Sequence, residues 1–579
     1  MWSSTDVLKQ RLEKRLQFLY GEKYKKRLMK RIGLLLARYD FLREQCRPDK
    51  LWDEKTCLLI SYGDMVRKKA EKPLLTLHRF LQDYVKGTIE CLHILPFFPY
   101  SSDDGFSVIN YRKVDPALGE WEDIKKISQD FRLMVDLVLN HVSRCSSWFQ
   151  DYIGGIAPAM DYFMEVDPGD DLAQVVRPRT TPLLTKVQTV YGKKYVWTTF
   201  SSDQMDLNYA NPDVLMEMLD ILLFYISKGA RIIRLDAIAY LWKMIGTPCI
   251  NLPQTHEIVK LFRDITDYLA SGVLLLTETN LPHSQNISYF GEGDEAHLVY
   301  QFSLPPLLLY TLHRGSARHL REWAAELTAP GPRCTYLNFT ASHDGIGVRP
   351  LEGLVKEEEI EELVQTIRSL GGLVSCRSCA NGVERPYELN ITYFDALKDP
   401  KQPQDVNRQI DRFICSQTIM LSLQGIPAIY FHSLMGTGNN YEGVQKTGQN
   451  RAINRARFQD EELRKLLSDP KTVTSRVFSN YIDLLRKRSQ EPAFHPDAVQ
   501  EVLDLPDELF GVVRRAILRN GETRDIFCLH NVSDKEQRIR LPDLDGTLKG
   551  KKMKDIISNI VMEDDVYLSP YQSCWLKER

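Results

Sequence analysis

Apolar residues recur along this chain with three different periods, one after another. Over residues 4–46 they fall three or four apart: Leu8, Leu12, Leu16 and Leu19, then, beyond Gly21, Tyr24, Leu28, Ile32, Leu35 and Tyr39. That spacing predicts two amphipathic helices. From Thr56 the pattern changes to short apolar runs separated by helix-like segments. Eight such runs can be marked, at 57–62, 91–97, 133–138, 232–236, 273–277, 297–301, 335–341 and 427–431. Repeated strand–helix units predict a parallel sheet, and eight is the number that closes it into a barrel. Beyond residue 495 apolar and polar positions alternate over Leu509–Leu518, Asp525–Val532, Gln537–Leu541 and Val566–Leu576, with Asn520-Gly521 and Asp545-Gly546 between them. These are the marks of a small antiparallel β domain.

The expected organisation is therefore α/β. A helical extension (1–54) precedes a (β/α)8 barrel (55–494), and an antiparallel β domain (495–579) follows, with Pro492 and Pro496 at the boundary. Two intervals are too long for simple connections, and they predict rim insertions at about 142–205 after the third strand and about 345–400 after the seventh. Insertions at the C-terminal rim overhang the pocket without disturbing the barrel.

Four of the runs end in polar residues. Arg231-Ile-Ile-Arg234-Leu-Asp236 finishes on a cation and a carboxylate that cannot be buried unpaired. The third run contains Asp136 and leads to Asn140-His141, the fifth leads to Glu278, and the seventh leads to His343-Asp344. Any one of these acids by itself reads as a helix cap or a surface ion pair. Four strand ends of the same kind need a shared cause, and a parallel barrel supplies one by presenting them all to a single rim. Asp236, Glu278 and Asp344 then face one pocket with Arg234, His141 and His343. Two carboxyls of unequal pKa are what acetal cleavage requires, one ionised toward the anomeric carbon and one protonated toward the leaving oxygen. Arg234 projects to the same side of its strand as Asp236 and would keep that acid ionised.

Composition narrows the partners. The 579 residues carry a net charge of -2, with 43% apolar and 26% charged residues, which argues against a general nucleic-acid binder. The eleven cysteines are read as scattered, without a disulfide framework, and Cys57, Cys91 and Cys528 lie inside apolar runs. Buried reduced thiols in a cytoplasmic protein are expected. No targeting segment and no apolar stretch long enough to cross a membrane is read in the chain. The basic positions Lys23, Lys25, Lys26, Arg27, Lys30 and Arg31 are read as a solvated helix face.

The motifs around these residues resemble a known family. Asp136-Leu-Val-Leu-Asn140-His141, Arg234-Leu-Asp236, Glu278 and His343-Asp344 are similar to the four signature regions of the α-amylase superfamily, glycoside hydrolase family 13. From about residue 55 onward, His93-Ile-Leu-Pro-Phe-Phe-Pro, Asp103-Asp-Gly-Phe106, Arg177-Pro-Arg179, Phe200-Ser-Ser-Asp-Gln204-Met-Asp206, Gln301-Phe-Ser-Leu-Pro-Pro and Asn450-Arg451-Ala-Ile-Asn-Arg455 resemble the sucrose phosphorylase subfamily. The loops around Pro386-Tyr387-Glu388 and Gly436–Gly448, with the helical extension, resemble glucosylglycerate phosphorylases, whereas sucrose phosphorylases usually carry Gln in place of Glu388.

The resemblance implies that Asp236 is a nucleophile, Glu278 the general acid and base, and Asp344 a transition-state stabiliser. It implies a glucosyl pocket of Asp103, Phe106, His141, Gln204, Arg234, His343 and Arg451, with Tyr240 at the site and Arg179 and Tyr387 approaching phosphate. The implied reaction converts 2-O-α-glucosylglycerate and phosphate to α-glucose 1-phosphate and glycerate by double displacement. Sucrose, sucrose 6-phosphate or glucosylglycerol phosphorolysis, α-glucosidase or transglucosidase activity, and a barrel that only binds remain as alternatives. No cofactor or metal is implied, since Asn140, which matches an amylase calcium ligand, is assigned to the scaffold. Partners are the small-molecule substrates, and a homodimer is compatible with the resemblance. A cationic acceptor site is expected for glycerate, with Arg377, Arg385 and Lys446 as the candidates.

Overall fold

A computed structural model describes residues 5–46, 50–378, 384–518 and 520–579. All eight apolar runs form strands of one closed parallel barrel: β1 (Leu58–Ser61), β2 (Cys91–Ile94), β3 (Arg132–Val138), β4 (Ala230–Asp236), β5 (Leu274–Thr277), β6 (Leu298–Tyr300), β7 (Thr335–Phe339) and β8 (Ile426–Tyr430). Each strand pairs with its neighbours in sequence, and β8 closes on β1. Their side chains are almost entirely buried because a parallel barrel strand is covered on both faces, by the barrel interior and by the surrounding helices. The pairing of β3 with β4 sets Asp136 opposite Arg234 and Val138 opposite Asp236, which brings an acid and a base from separate strands to one level.

The N-terminal segment forms a single long span, α1 (Thr5–Arg38), broken within by Gly21 at φ 72°, ψ 176°. Two helical arms result, as the periodicity predicts. Leu8, Leu12, Leu16, Leu19, Leu28, Ile32 and Tyr39 are buried, but the position expected at Leu35 is taken by Leu36, and Tyr24 is exposed. Ion pairs tie both arms to the barrel's helices. Arg15 meets Asp264 at 2.7 Å and Glu257 at 3.0 Å, Arg31 pairs with Asp213, and Tyr39 donates to Asp220 at 3.0 Å.

The C-terminal region contains a six-stranded antiparallel sheet ordered Val499–Val502, Leu509–Ile517, Thr523–Asn531, Ser573–Glu578, Met553–Asp555, Val561–Met562. The run read as one strand over Val566–Leu576 is two. Asp565–Leu568 pairs with Gln537–Arg540, and after a turn through Pro570 and Tyr571 (φ 59°) the chain enters Ser573–Glu578 in the other sheet. Two buried arginines stand at the junction of this region with the barrel and bind backbone carbonyls, and Arg514 crosses it. Arg488 donates to Leu421 and Phe494 at 3.0 Å each and to Glu54 at 2.8 Å; Arg514 donates to Ser422 and His495 at 3.0 Å each.

Among the described residues the cysteines are free, and Cys57, Cys91 and Cys528 are buried, as expected. The reading of the cysteines as scattered passes over one Cys-x-x-Cys pair, Cys376 and Cys379, whose second member lies outside the described residues. No described helix is long and apolar enough to cross a membrane.

Candidate active site

The site is built at the C-terminal ends of the barrel strands. β4 ends in Arg234-Leu-Asp236, and the next residue, Ala237, takes the left-handed conformation at φ 50°, ψ 30°. This costs a non-glycine residue of order 1 kcal/mol or more. It turns the Ala237 N–H onto Glu278 Oε2 at 2.9 Å, so the strand that carries Asp236 also fixes Glu278. Arg234 lies beneath both acids. Its Nη1 donates to Asp236 Oδ1 at 2.7 Å and to Asp136 Oδ1 at 2.6 Å, and its Nη2 is 3.9 Å from Glu278 Oε1. His93 closes the other side of Asp136 at 2.6 Å. Burial weakens a buried cation, but these carboxylates overcome it and hold the Arg234 guanidinium well above its ordinary range.

Burial pushes both Asp236 and Glu278 up from ordinary carboxyl values; Arg234 opposes the rise at each, and at Glu278 the charge of Asp344 adds to it. Such a pair shares one proton over a wide pH range. The direct hydrogen bond from Arg234 to Asp236 favours the ionised form there, which leaves the proton on Glu278.

Asp344 extends from the loop after β7. Its Oδ1 is 2.5 Å from Arg451 Nη1 and 3.6 Å from Arg455 Nη2, and these cations overcome burial to hold it below the usual carboxylate range. Arg451 also grips Glu388 with two nitrogens, at 2.9 and 2.8 Å, and Arg179 approaches the same carboxylate at 3.7 Å. A third donor, the Gly345 N–H, reaches Glu388 at 2.6 Å. Glu388 is thus ionised in spite of its burial. His343 stacks on Phe106 at 4.6 Å with the rings 3° apart, and burial with nearby arginines keeps it neutral. His141 meets the Phe106 carbonyl at 3.0 Å and Gln204 at 3.2 Å.

A cavity of about 490 Å³ is lined by Asp103, Phe106, His141, Arg179, Gln204, Asp236, Glu278, His343, Asp344, Tyr387 and Arg451. Of the residues assigned from the resemblance to catalysis, the glucosyl pocket and phosphate, all but two line it. Arg234 sits below, in the wall of an adjoining chamber, and Tyr240 is buried behind, its ring edge-on to Phe200 at 5.6 Å. The first rim insertion delivers Arg179 and Gln204; the second delivers Tyr387. Asp103 and Asp104 both have positive φ, and Gly105 follows at φ 116°, where a Cβ would lie 2.5 Å from the Pro96 carbonyl. This tight turn points Asp103 at the cavity, with Arg455 3.5 Å away.

Several site residues were missed. Phe200, Ala237 and Asn280 line the cavity, and Arg455 braces two of its acids; Phe200 and Arg455 stand at the ends of motifs that carry the resemblance but were given no role, and nothing local in sequence marks the other two. Lys243 is another. Its Nζ reaches Asn140 Oδ1 at 2.6 Å, Asp206 Oδ2 at 2.8 Å and the Tyr240 carbonyl at 3.0 Å, so an ammonium group occupies the oxygen cluster to which Asn140 belongs. No group of three or more His, Cys, Asp or Glu that could hold a metal occurs among the described residues. The three cations expected at the acceptor site lie elsewhere, outside the cavity lining. Arg377 pairs with Glu352 at 2.8 Å, Arg385 with Glu357 at 3.0 Å and Lys446 with Glu442 at 2.5 Å.

A closed eight-stranded barrel with three acids at its rim, two of them sharing one guanidinium, is the frame of a glycoside-cleaving enzyme. The α-amylase catalytic-domain model matches residues 81–328. The chain belongs to the α-amylase family, glycoside hydrolase family 13, in its sucrose phosphorylase-like branch. It is 45% identical to the glucosylglycerate phosphorylase of Allomeiothermus silvanus over 100% of both chains, and 51% identical to that of Spirochaeta thermophila over 85% of this chain and 82% of that one. Among solved structures, the sucrose 6F-phosphate phosphorylase of Thermoanaerobacter thermosaccharolyticum superposes with a TM-score of 0.71 at 26% identity, covering 83% of this chain and 94% of that one.

Proposed function

We propose that this chain is a retaining glucoside phosphorylase that converts 2-O-α-glucosylglycerate and phosphate to α-glucose 1-phosphate and glycerate. The observation that carries the reading is one cavity lined by both Asp236, bonded directly to Arg234, and Glu278, with Arg179 and Tyr387 beside them. The full-length likeness to glucosylglycerate phosphorylases supports the choice of substrate.

In the first step Asp236 attacks the anomeric carbon, and Glu278 gives its proton to the departing glycerate oxygen. A glucosyl ester on Asp236 results. Asp344, held ionised by Arg451, accepts hydrogen bonds from glucose hydroxyls, and these strengthen as the ring flattens. In the second step a phosphate oxygen attacks the same carbon from the side glycerate has left; Glu278 takes up the phosphate's proton if it carries one, and Asp236 is released. Two inversions give retention. Arg179 supplies charge-assisted donors to phosphate, with its guanidinium over Tyr387 at 5.4 Å to fix its plane. Free, buried thiols suit a reducing, cytoplasmic setting.

The test offers glycerate, glycerol, fructose and fructose 6-phosphate to the enzyme with α-glucose 1-phosphate and follows phosphate release. Glycerate should be used best by at least about tenfold, the value of one charge-assisted contact. Equal use of glycerol, or release of free glucose independent of acceptor, would overturn the assignment.

A further inference from the structure

Glycerate and phosphate enter the same side of the site in turn, and both are anions. A subsite that serves both needs a cation not already neutralised by a protein carboxylate. Arg179 contributes one charge, but it lies 3.7 Å from Glu388 and is partly offset by it. The cations Arg377, Arg385 and Lys446 are each matched by a glutamate.

Arg349 is different. It opens the short turn Arg349–Leu351, two residues after Gly347, which lines the adjoining chamber. Gly347 lies opposite Glu388 in the three-stranded rim sheet, and the Val348 N–H donates to the Tyr387 carbonyl at 3.1 Å. The Arg349 guanidinium has no carboxylate within ion-pair distance among the described residues, and its Nε is buried with no hydrogen-bond partner. An orphaned buried guanidinium nitrogen costs free energy unless a ligand satisfies it.

A second unmatched group stands on the same wall. Asn280 lines the cavity beside Glu278 and packs on Gly347, where a Cβ would come within 2.5 Å of its amide; its Oδ1 is buried and unpartnered. Arg349 also lines an outer groove of about 1360 Å³ with Arg385, Glu352, Glu357, Glu358, Glu361 and Pro386, the residue before cavity-lining Tyr387; Glu352 and Glu357 are paired with Arg377 and Arg385. Its charge reaches inward as well. Burial raises the Tyr240 hydroxyl, Tyr387 adds to that rise, and Arg349 opposes it ahead of Arg179.

We infer that Arg349 is the residue that binds the acceptor carboxylate, with the Asn280 amide taking an adjacent hydroxyl, where the outer groove meets the cavity. This rests on the glycerate reading and deepens it: the specificity for an acid over a polyol would lie in an arginine left without a protein partner. A carboxylate seated there would give the Arg349 Nε the partner it lacks.

The experiment uses α-glucosyl fluoride as donor, because fluoride leaves without drawing on the acceptor subsite, and compares glycerate with glycerol as acceptor in wild type, Arg349→Ala and Arg349→Lys. The kcat/KM for glycerate should fall about tenfold or more in Arg349→Ala, through KM, while that for glycerol stays within about twofold. Lys should restore part of the loss, being a point charge without the planar fork. A parallel fall with both acceptors, or no fall with either, would overturn the role. Wild type that uses glycerol as well as glycerate would instead remove the glycerate reading itself, whatever the variants do.

Discussion

Two buried arginines in this molecule live under opposite conditions. Arg234, at the barrel rim, is ringed by Asp136, Asp236 and Glu278, and its charge is held far above the ordinary range. Arg514, in the seam between the barrel and the C-terminal sheet, has three backbone carbonyls and, among the described residues, no acid in ion-pair contact; burial pushes it down to about 9. Its neighbour Arg488 is likewise bonded to carbonyls and pushed down to about 10. Carbonyl dipoles satisfy a guanidinium's geometry without neutralising it, so the seam gains direction and register at an electrostatic cost. Carboxylates neutralise it but must themselves be kept ionised, and that charge is what the reaction draws on. The seam spends stability on shape, whereas the rim spends it on chemistry.

The sharpest way to break this contrast is Asp236→Asn. Arg234 keeps Asp136, so the fold should survive, while kcat falls at least about 10⁴-fold and no glucosyl ester forms. Mass spectrometry of the enzyme with a slow donor checks this, and an ester on another residue would displace Asp236 from its role. At the seam, Arg514→Met should lower unfolding free energy by about 2 to 3 kcal/mol, since three carbonyls lose their donor while one unneutralised charge is removed. Activity per folded molecule should not change; a loss of kcat at unchanged folded fraction would show that seam and rim are not separate.

Arg179→Ala tests the rim's anion side. Phosphorolysis should fall roughly tenfold to a hundredfold, but glucosylation by α-glucosyl fluoride should fall much less, as single-turnover and steady-state rates would show. Equal losses would make Arg179 structural. The smallest effect concerns stability and pH. Because Glu278 is raised above 4.5 in the folded protein, the native state binds more protons than the unfolded one between 4.5 and the raised value. Stability therefore falls as pH rises through that window. Glu278→Gln should raise the melting temperature at neutral pH by roughly one degree, on the order of 1 kcal/mol in a chain this long, with the gain vanishing below about pH 4.5. A gain that persists at pH 4 would rule out the charge as its source.

The barrel was legible because each strand is a short apolar run, and the site because those runs end on charges that cannot be buried without partners. Asp236, Glu278 and Asp344 stand out only when the four polar strand ends are taken together. What stayed hidden depends on groups far apart in sequence. Lys243 finds Asn140 across 103 residues, Arg455 reaches Asp103 across 352, and Arg349 is defined by lacking a partner, a property with no local signature. The cations nominated for the acceptor, Arg377, Arg385 and Lys446, were chosen by loop membership, and the loops turn them toward surface glutamates. The false single strand over Val566–Leu576 has a simpler cause: Pro570 and Tyr571 break it without a glycine, and apolar alternation runs straight across the break.

Lys243 carries one further consequence. An ion held among the same oxygens would stabilise the fold only in proportion to how far its free concentration exceeds its dissociation constant, so the protein's resilience would follow its surroundings. The ammonium group is tethered by its own side chain and is present at unit stoichiometry in every molecule. The loops that meet at Asn140, Asp206 and Tyr240 are thus cross-braced by a counter-charge written into the gene, and their anchorage is indifferent to ion supply.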